Sequence, residues 1–200
     1  MTVLYKLPFL YEAMMLSLYR KHYVDRYSTL ARLIPSGVSV LEACCGPGLL
    51  FSRYLRYRDL RYMGLDLSSS FINHLRSQGG HGATWDLLDP SPLPSADYVL
   101  MQGSLCHFLP NAAPVFERLL KAAQMKLIIS EPIRSIVNSR IRLLAAFGRR
   151  LTDPGNGHSN MRFTESHLDS FFAAHARRIE TSFFIPGGRE KVYVFDASNE

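Results

Sequence analysis

The residues best able to do chemistry lie in the heptapeptide Glu42-Ala43-Cys44-Cys45-Gly46-Pro47-Gly48 and at two acids downstream, Asp66 and Asp86. Two glycines let a backbone turn sharply and approach a ligand closely, because no Cβ stands in the way. A helix that starts just after them points its free amide groups at whatever fills the gap. An acid at the end of the next strand can accept both hydroxyl protons of a ribose diol, the role open to Asp66. Asp86, one strand later, can accept a hydrogen bond from an adenine amino group. Three carboxylates around one glycine turn suit a nucleoside, with no need for many phosphate contacts. Two other nucleotide sites fit poorly. The dinucleotide fingerprint GxGxxG has Phe51 where its third glycine belongs, and the Gly-Lys-Ser/Thr of a P-loop occurs nowhere.

These residues need strands to carry them, and the chain supplies an alternation of strand and helix patterns. Val38–Cys44 reads as a buried strand, followed by the glycine loop and a helix over Leu49–Arg56. Tyr62–Leu67 is a second strand, and Ser68-Ser69-Ser70 can cap a helix running to about Ser77. Thr84–Leu88 is a third strand, Ala96–Gln102 a fourth with a helix over Ala112–Ala123 after it, and Lys126–Ser130 a fifth, stopped by Pro132. Thr164–Ala174 reads as a helix capped by Thr164. Arg178–Ile185 and Lys191–Ala197 flank Pro186-Gly187-Gly188-Arg189 as an antiparallel hairpin. The expected fold is α/β: a doubly wound, mostly parallel seven-stranded sheet with a reversed final strand in a C-terminal hairpin and helices on both faces.

Two hundred residues, 47% of them hydrophobic, suffice for one such domain with a substantial core. Within 1–200 the expected division is an N-terminal helical cap at 1–34, a binding core at 36–132, a cap insertion at 133–163, and a helix with hairpin at 164–200. The net charge of +6 permits anionic partners without demanding nucleic acid. Three cysteines with no CxxC fit a reducing compartment and neither a disulfide scaffold nor a zinc site. No stretch approaches 18 uninterrupted apolar residues, and Lys6 and Glu12 interrupt the apolar start, so the expectation is a cytoplasmic protein with no membrane partner. His158 and His167 lack a third ligand nearby, and no metal is expected.

Val40-Leu41-Glu42-Ala43-Cys44-Cys45-Gly46-Pro47-Gly48, Gly64-Leu65-Asp66-Leu67-Ser68 and the run from Asp97 to Phe108 resemble the successive motifs of class I S-adenosylmethionine-dependent methyltransferases, in their small-molecule branch. The resemblance covers about residues 36–132 and extends to the terminal hairpin. It implies that Glu42, Gly46 and Gly48, with Cys44 and Pro47 among them, surround the methionine part of S-adenosylmethionine. It implies that Asp66, followed by Leu67, holds the ribose, that Asp86 and Leu87 flank the adenine, and that Gln102 and Gly103 line the floor near the sulfonium. The family usually has glycine where this chain has Cys44, and often two histidines where it has Cys106-His107.

Methyl transfer from a sulfonium is an in-line displacement, for which an enzyme chiefly supplies alignment and water exclusion. His107 is the candidate base, or else a histidine that hydrogen-bonds its own loop. Glu131 can touch the acceptor or cap the segment after it. Tyr11, Tyr19, Tyr23 and Tyr27 form an aromatic helix face that either closes over the site or simply docks on the domain. Ile133–Arg150 carries five arginines and no acid. It can offer Arg140 to an anionic small acceptor, join Arg53, Arg56, Arg58 and Arg61 on an RNA-facing surface, or stand as a solvated face. The absence of an Asp/Asn-Pro-Pro-aromatic motif weakens nucleic-acid methylation, so a small-molecule acceptor is preferred. An inactive fold serving as a binding scaffold is the non-enzymatic alternative. Monomer and homodimer both remain open.

Overall fold

Valine, isoleucine, leucine and methionine fill Val40–Leu41, Val99–Met101 and Leu127–Ile129, and these runs are buried on both faces. Near-continuous apolar runs of this sort are the mark of parallel strands covered by helices on each side. They form the middle of one seven-stranded sheet in a computed structural model that describes residues 7–133 and 162–198. The strands are β1 (Ser39–Ala43), β2 (Arg61–Asp66), β3 (Gly82–Thr84), β4 (Ala96–Gln102), β5 (Ala123–Pro132), β6 (Ile179–Phe184) and β7 (Glu190–Asp196). Their order across the sheet is β3-β2-β1-β4-β5-β7-β6. All pairings are parallel except those of β7, which runs antiparallel to both β5 and β6. The expected doubly wound sheet with a reversed last strand is therefore present.

Helices cover both faces. α1 (Pro8–Tyr19), α2 (Tyr23–Arg32) and α3 (Ser69–Ser77) lie on one side, where Tyr19, Tyr27, Leu30, Ile72 and Leu75 join a core with Val40, Leu100 and Ile128. α4 (Ala112–Ala122) and α5 (Glu165–Phe172) lie on the other, where Phe116, Leu119, Leu168 and Phe172 pack on Leu41, Val99 and Phe195. The predicted caps form: Ser68 Oγ accepts from Phe71 N at the start of α3, and Thr164 Oγ1 from His167 N at the start of α5.

Four sequence expectations change. The Tyr11–Tyr27 periodicity is split into α1 and α2, because Arg20 takes a left-handed φ of 48° and a tight turn follows over Arg20–His22. The helix after the glycine loop widens into a π-type turn over Phe51–Leu55, with Arg56 N donating to Phe51 O at 2.8 Å. β3 is Gly82–Thr84 rather than Thr84–Leu88, since it sits at the sheet edge and pairs with β2 alone. β5 extends over Ala123–Pro132, beyond Lys126–Ser130, because β7 pairs with it from Lys126 to Pro132. The Ile133–Arg150 helix, Arg140 and His158 lie outside the described residues, apart from Ile133 itself. Among the described residues no helix is long and apolar enough to cross a membrane.

Candidate active site at the carboxyl ends of β1, β2 and β4

Parallel register sets the site. β1 pairs Glu42 with Gly64 of β2 and Leu100 of β4, so the carboxyl ends of all three strands open at the same edge. The chain leaves β1 through a backbone that repeatedly enters the left-handed region: Cys44 at φ 54°, Gly46 at 57° and Gly48 at 75°. The family-typical glycine at position 44 is thus replaced by a residue held in the conformation a glycine would adopt without strain. Gly48 has a second reason to lack a side chain, since a Cβ there would stand 2.5 Å from Leu75 Cδ1.

Asp66 braces this turn. Its Oδ2 accepts from Gly46 N at 2.9 Å and its Oδ1 from Ser68 N at 2.8 Å. A carboxylate offers about four lone-pair sites, so each oxygen keeps acceptor capacity after these two bonds. Burial raises the Asp66 carboxyl above its ordinary range, and the two backbone donors partly offset that.

Glu42, at the heart of β1, is buried and accepts from the Tyr62 hydroxyl at 2.6 Å. Burial raises its carboxyl to about 7, opposed by that hydrogen bond and by Arg26. A narrow cleft, open to solvent, is lined by Tyr11, Arg26, Tyr27, Glu42, Cys44, Cys45, Pro47, Leu49 and Gln102. Tyr11 narrows it: its ring lies 3.9 Å from where a Cβ on Gly46 would stand, and edge-on to Phe71. Burial pushes the Cys44 and Cys45 thiols well up, so both are packing groups rather than nucleophiles.

The structure thus brings together Tyr11, Glu42, Cys44, Gly46, Pro47, Gly48, Asp66 and Gln102. Gly103 is adjacent, in a left-handed turn with Arg26 Nη2 at 3.0 Å from its would-be Cβ. Leu67 is 46% exposed beside Asp66, free to touch a ligand. At the β3 end the expected pair separates. Asp86 is exposed and bent into a turn that accepts from Leu88 N at 2.9 Å. Leu87 is buried in the core, and it is Leu88 that stands open. Trp85, next to Asp86, keeps a buried indole N–H with no acceptor.

Tyr19 does not face the cleft. Its hydroxyl donates to Glu190, the first residue of β7, which is fully buried. Glu190 also accepts from Arg26 Nε at 2.6 Å, Gln102 Nε2 at 3.1 Å and Ser130 Oγ at 2.8 Å. Burial works to raise Glu190, but Arg26 and the donating hydroxyls outweigh it and hold it below its ordinary value. The guanidinium of Arg26 is flanked by Tyr19 and Tyr27, 4.9 and 5.0 Å from the ring centres. Arg26 and Glu190 are the site residues that the sequence motifs missed. The one available signal was an arginine placed within an otherwise tyrosine-rich helix face.

Glu131 does not stand open to the cleft, and the segment it is expected to cap lies beyond Ile133, outside the described residues. Fully buried, it accepts from Leu105 N at 2.6 Å and so anchors the turn that follows β4. Burial raises its carboxyl to about 7. That turn, Leu105–Phe108, carries His107, whose imidazole burial and the nearby Arg162 lower to about 4. His107 is therefore neutral at neutral pH and a weak proton acceptor. Arg162 Nη1 donates to Cys106 Sγ at 3.2 Å.

The order β3-β2-β1-β4-β5-β7-β6 with β7 reversed is the fold of class I, Rossmann-like S-adenosylmethionine-dependent methyltransferases. Solved structures similar to this chain include magnesium protoporphyrin IX methyltransferase (ChlM) from Synechocystis PCC 6803 with bound SAH, at 16% identity and TM-score 0.63, covering 90% of this chain and 86% of that one. N-methyltransferase NodS from Bradyrhizobium japonicum WM9 matches at 13% identity and TM-score 0.61 over 88% and 97% of the two chains. A TehB-like SAM-dependent methyltransferase from Corynebacterium glutamicum matches at 18% and 0.58 over 86% of each. At these identities the likeness is one of fold. No protein-family model matches the chain, and no curated protein matches it.

Proposed function

We propose that this chain is an S-adenosylmethionine-dependent methyltransferase acting on a small-molecule acceptor. The observation that carries the reading is Asp66, a half-buried carboxylate clamped to the glycine turn by Gly46 N and still able to accept two hydroxyls. The neighbours of the same fold include a methyltransferase with bound SAH and an N-methyltransferase, which supports the cofactor and the reaction class.

In this reading Asp66 takes the ribose diol, with Leu67 against the sugar. The open carboxylate of Asp86 and the unpaired Trp85 N–H serve the adenine end, while buried Leu87 only supports that loop from beneath. Glu42 faces the ammonium of the amino-acid part, and Arg26, kept in register by Glu190, faces its carboxylate. Gly46, Gly48 and Gly103 keep backbone close to the ligand, with Cys44, Pro47 and Gln102 as walls. The bound cofactor supplies an electrophilic methyl on a sulfonium. The chain's own work is to align that group and keep water out, which is where methyl transfer needs help. Tyr11 lies over the glycine turn and must shift for a whole nucleoside to enter, so α1 acts as a lid rather than an inert docked helix. His107 contributes as a neutral hydrogen-bonding group at the acceptor side, positioned by Glu131 through the turn after β4. The division into a cap at 1–34, a core at 36–132, an insertion at 133–163 carrying Arg140, and a closing unit at 164–200 belongs to the same proposal.

The RNA reading loses ground on a specific observation. Of its basic run, Arg58 donates to the carbonyls of Ala31 and Ile34, and Arg53 pairs with Glu12. Arg53, Arg56 and Arg61 are exposed, but Arg61 lies 3.9 Å from Asp97, so of the four only Arg56 makes neither an ion pair nor a carbonyl contact among the described residues, while the arginines of 134–150 lie outside them. Calorimetry with S-adenosylhomocysteine tests the cofactor assignment: binding supports it, and a silent titration overturns it.

A further inference from the structure

α1 differs from the other helices described in having no polar side to give to water. Its inner face sets Tyr11, Met15 and Tyr19 against the domain. Its outer face presents Phe9 at 64% exposure, Leu16 at 46% and Leu10 at 36%, with Ala13 and Ser17 between them and no charge. Leu7 precedes this face and Val24, also exposed, follows it on α2. Apart from Glu12, held on its flank by Tyr23 and Arg53, the helix is apolar all round; such a helix is ordinarily buried on all sides, and among the described residues this one is covered on one.

The surroundings of the face are cationic. Arg20 and Lys21 are exposed at its end and make no ion pair among the described residues. Arg53 ties the neighbouring π-type turn to α1 through Glu12. One helical step further, exposed Arg56 lies over Tyr57, which is itself 89% exposed. Apolar anchors flanked by arginine, lysine and tyrosine match the interface of an anionic bilayer, where exposed apolar side chains sink to the acyl boundary and the flanking cations stay among the headgroups. A second copy of the chain is a poorer fit, because five apolar side chains fall far short of the roughly 20–30 residues a standard interface uses on each side.

We infer that the outer face of α1 docks on an anionic membrane surface, and that the acceptor is a lipophilic molecule reaching the cleft from that surface. The docking stands on the α1 face alone, while the acceptor class rests on the methyltransferase reading. No helix need span the bilayer, but the docking departs from the sequence expectation of no membrane partner. The link to the cleft is Tyr11, which is on the inner face of α1 and over Gly46. A bilayer that takes up Phe9 and Leu16 is therefore separated from the cleft by α1 alone, and a shift of that helix opens one to the other.

The test is flotation of the full chain with vesicles of phosphatidylcholine plus phosphatidylglycerol, against phosphatidylcholine alone. Expected is flotation with the anionic vesicles, weakened by salt, and reduced about tenfold or more in the Phe9→Asp/Leu16→Asp variant. S-adenosylhomocysteine affinity of that variant, measured in solution, stays unchanged and shows that it folds. Absence of flotation, flotation indifferent to the variant, or a dimer that the variant dissociates would overturn the docking. RNA binding lost in the same variant would overturn it too. Cofactor binding without flotation sinks the docking alone, and flotation without cofactor binding sinks the functional reading alone.

Discussion

Arg26 on α2 and Glu190 at the head of β7, 164 residues apart in sequence, form an ion pair at 2.6 Å in which neither side chain exceeds 4% exposure. The pair ties the N-terminal helices to the C-terminal hairpin across the top of the sheet. Tyr19, Gln102 and Ser130 donate to the same carboxylate and satisfy its remaining lone pairs. Removing one member leaves a buried charge unmatched, so Arg26→Ala is expected to cost about 3–5 kcal/mol. The double variant Arg26→Met/Glu190→Gln removes both charges and leaves an amide oxygen for Ser130 and Gln102, with the Tyr19 hydroxyl turned to accept from the new amide group. Urea midpoints should show it regaining most of that loss, while cofactor affinity stays low because the carboxylate-facing guanidinium is gone. A double variant that binds S-adenosylhomocysteine normally would remove Arg26 from the site.

Glu42 makes binding depend on pH. Its carboxyl, raised to about 7 by burial, is largely protonated in the free protein below that pH. A ligand ammonium beside it favours the charged form, so its pKa falls on binding and a proton is released. Affinity should therefore rise as pH increases from about 6 to 8. Titrations near pH 6.5 in buffers of different ionisation enthalpy should report that release, and Glu42→Gln should abolish it. In the free protein the sign is opposite. A carboxyl raised in the folded state favours folding most at low pH, and its contribution is lost as pH climbs toward 7.

The layout of the sheet was legible because β1, β4 and β5 bury both faces and so announce themselves as unbroken apolar runs. The hairpin was legible from its Pro-Gly-Gly turn. What escaped depends on contacts distant in sequence. β3 is an edge strand of three residues with a single neighbour, so no alternation marks its bounds, and Asp86 fell beyond it rather than at its end. β5 gained length from pairing with β7, which no local pattern records. The Tyr11–Tyr27 stripe is continuous in sequence, yet Arg20 breaks it by entering the left-handed region. At the site, Glu42, Gly46, Gly48 and Asp66 could be read from spacing. The Arg26–Glu190 pair could not, and neither could the turn of Tyr19 inward to Glu190 or the anchoring of Leu105 by Glu131.

Gly48 bears two separable constraints, a φ of 75° and a Leu75 methyl 2.5 Å from where its Cβ would stand. Gly48→Ala should cost about 2 kcal/mol or more, since left-handed backbone alone costs an L-residue roughly 1–2 kcal/mol. Adding Leu75→Ala makes room for the methyl but leaves the backbone term and opens a cavity. Thermal unfolding should therefore show no full rescue. Complete rescue would mean that space, and not the turn conformation, is what the glycine supplies.

The central claim is that Asp66 holds the ribose of an adenosyl cofactor, and calorimetry of the full chain with S-adenosylhomocysteine tests it most directly. Asp66→Asn keeps an acceptor for Gly46 N while removing the charge and one of the two hydroxyl-accepting oxygens. The account predicts one-to-one binding to the unaltered chain and an affinity weaker by about tenfold to a hundredfold in the variant, on the scale of losing one or two charge-assisted hydrogen bonds. No binding to the unaltered chain, or the same affinity in both proteins, would contradict it.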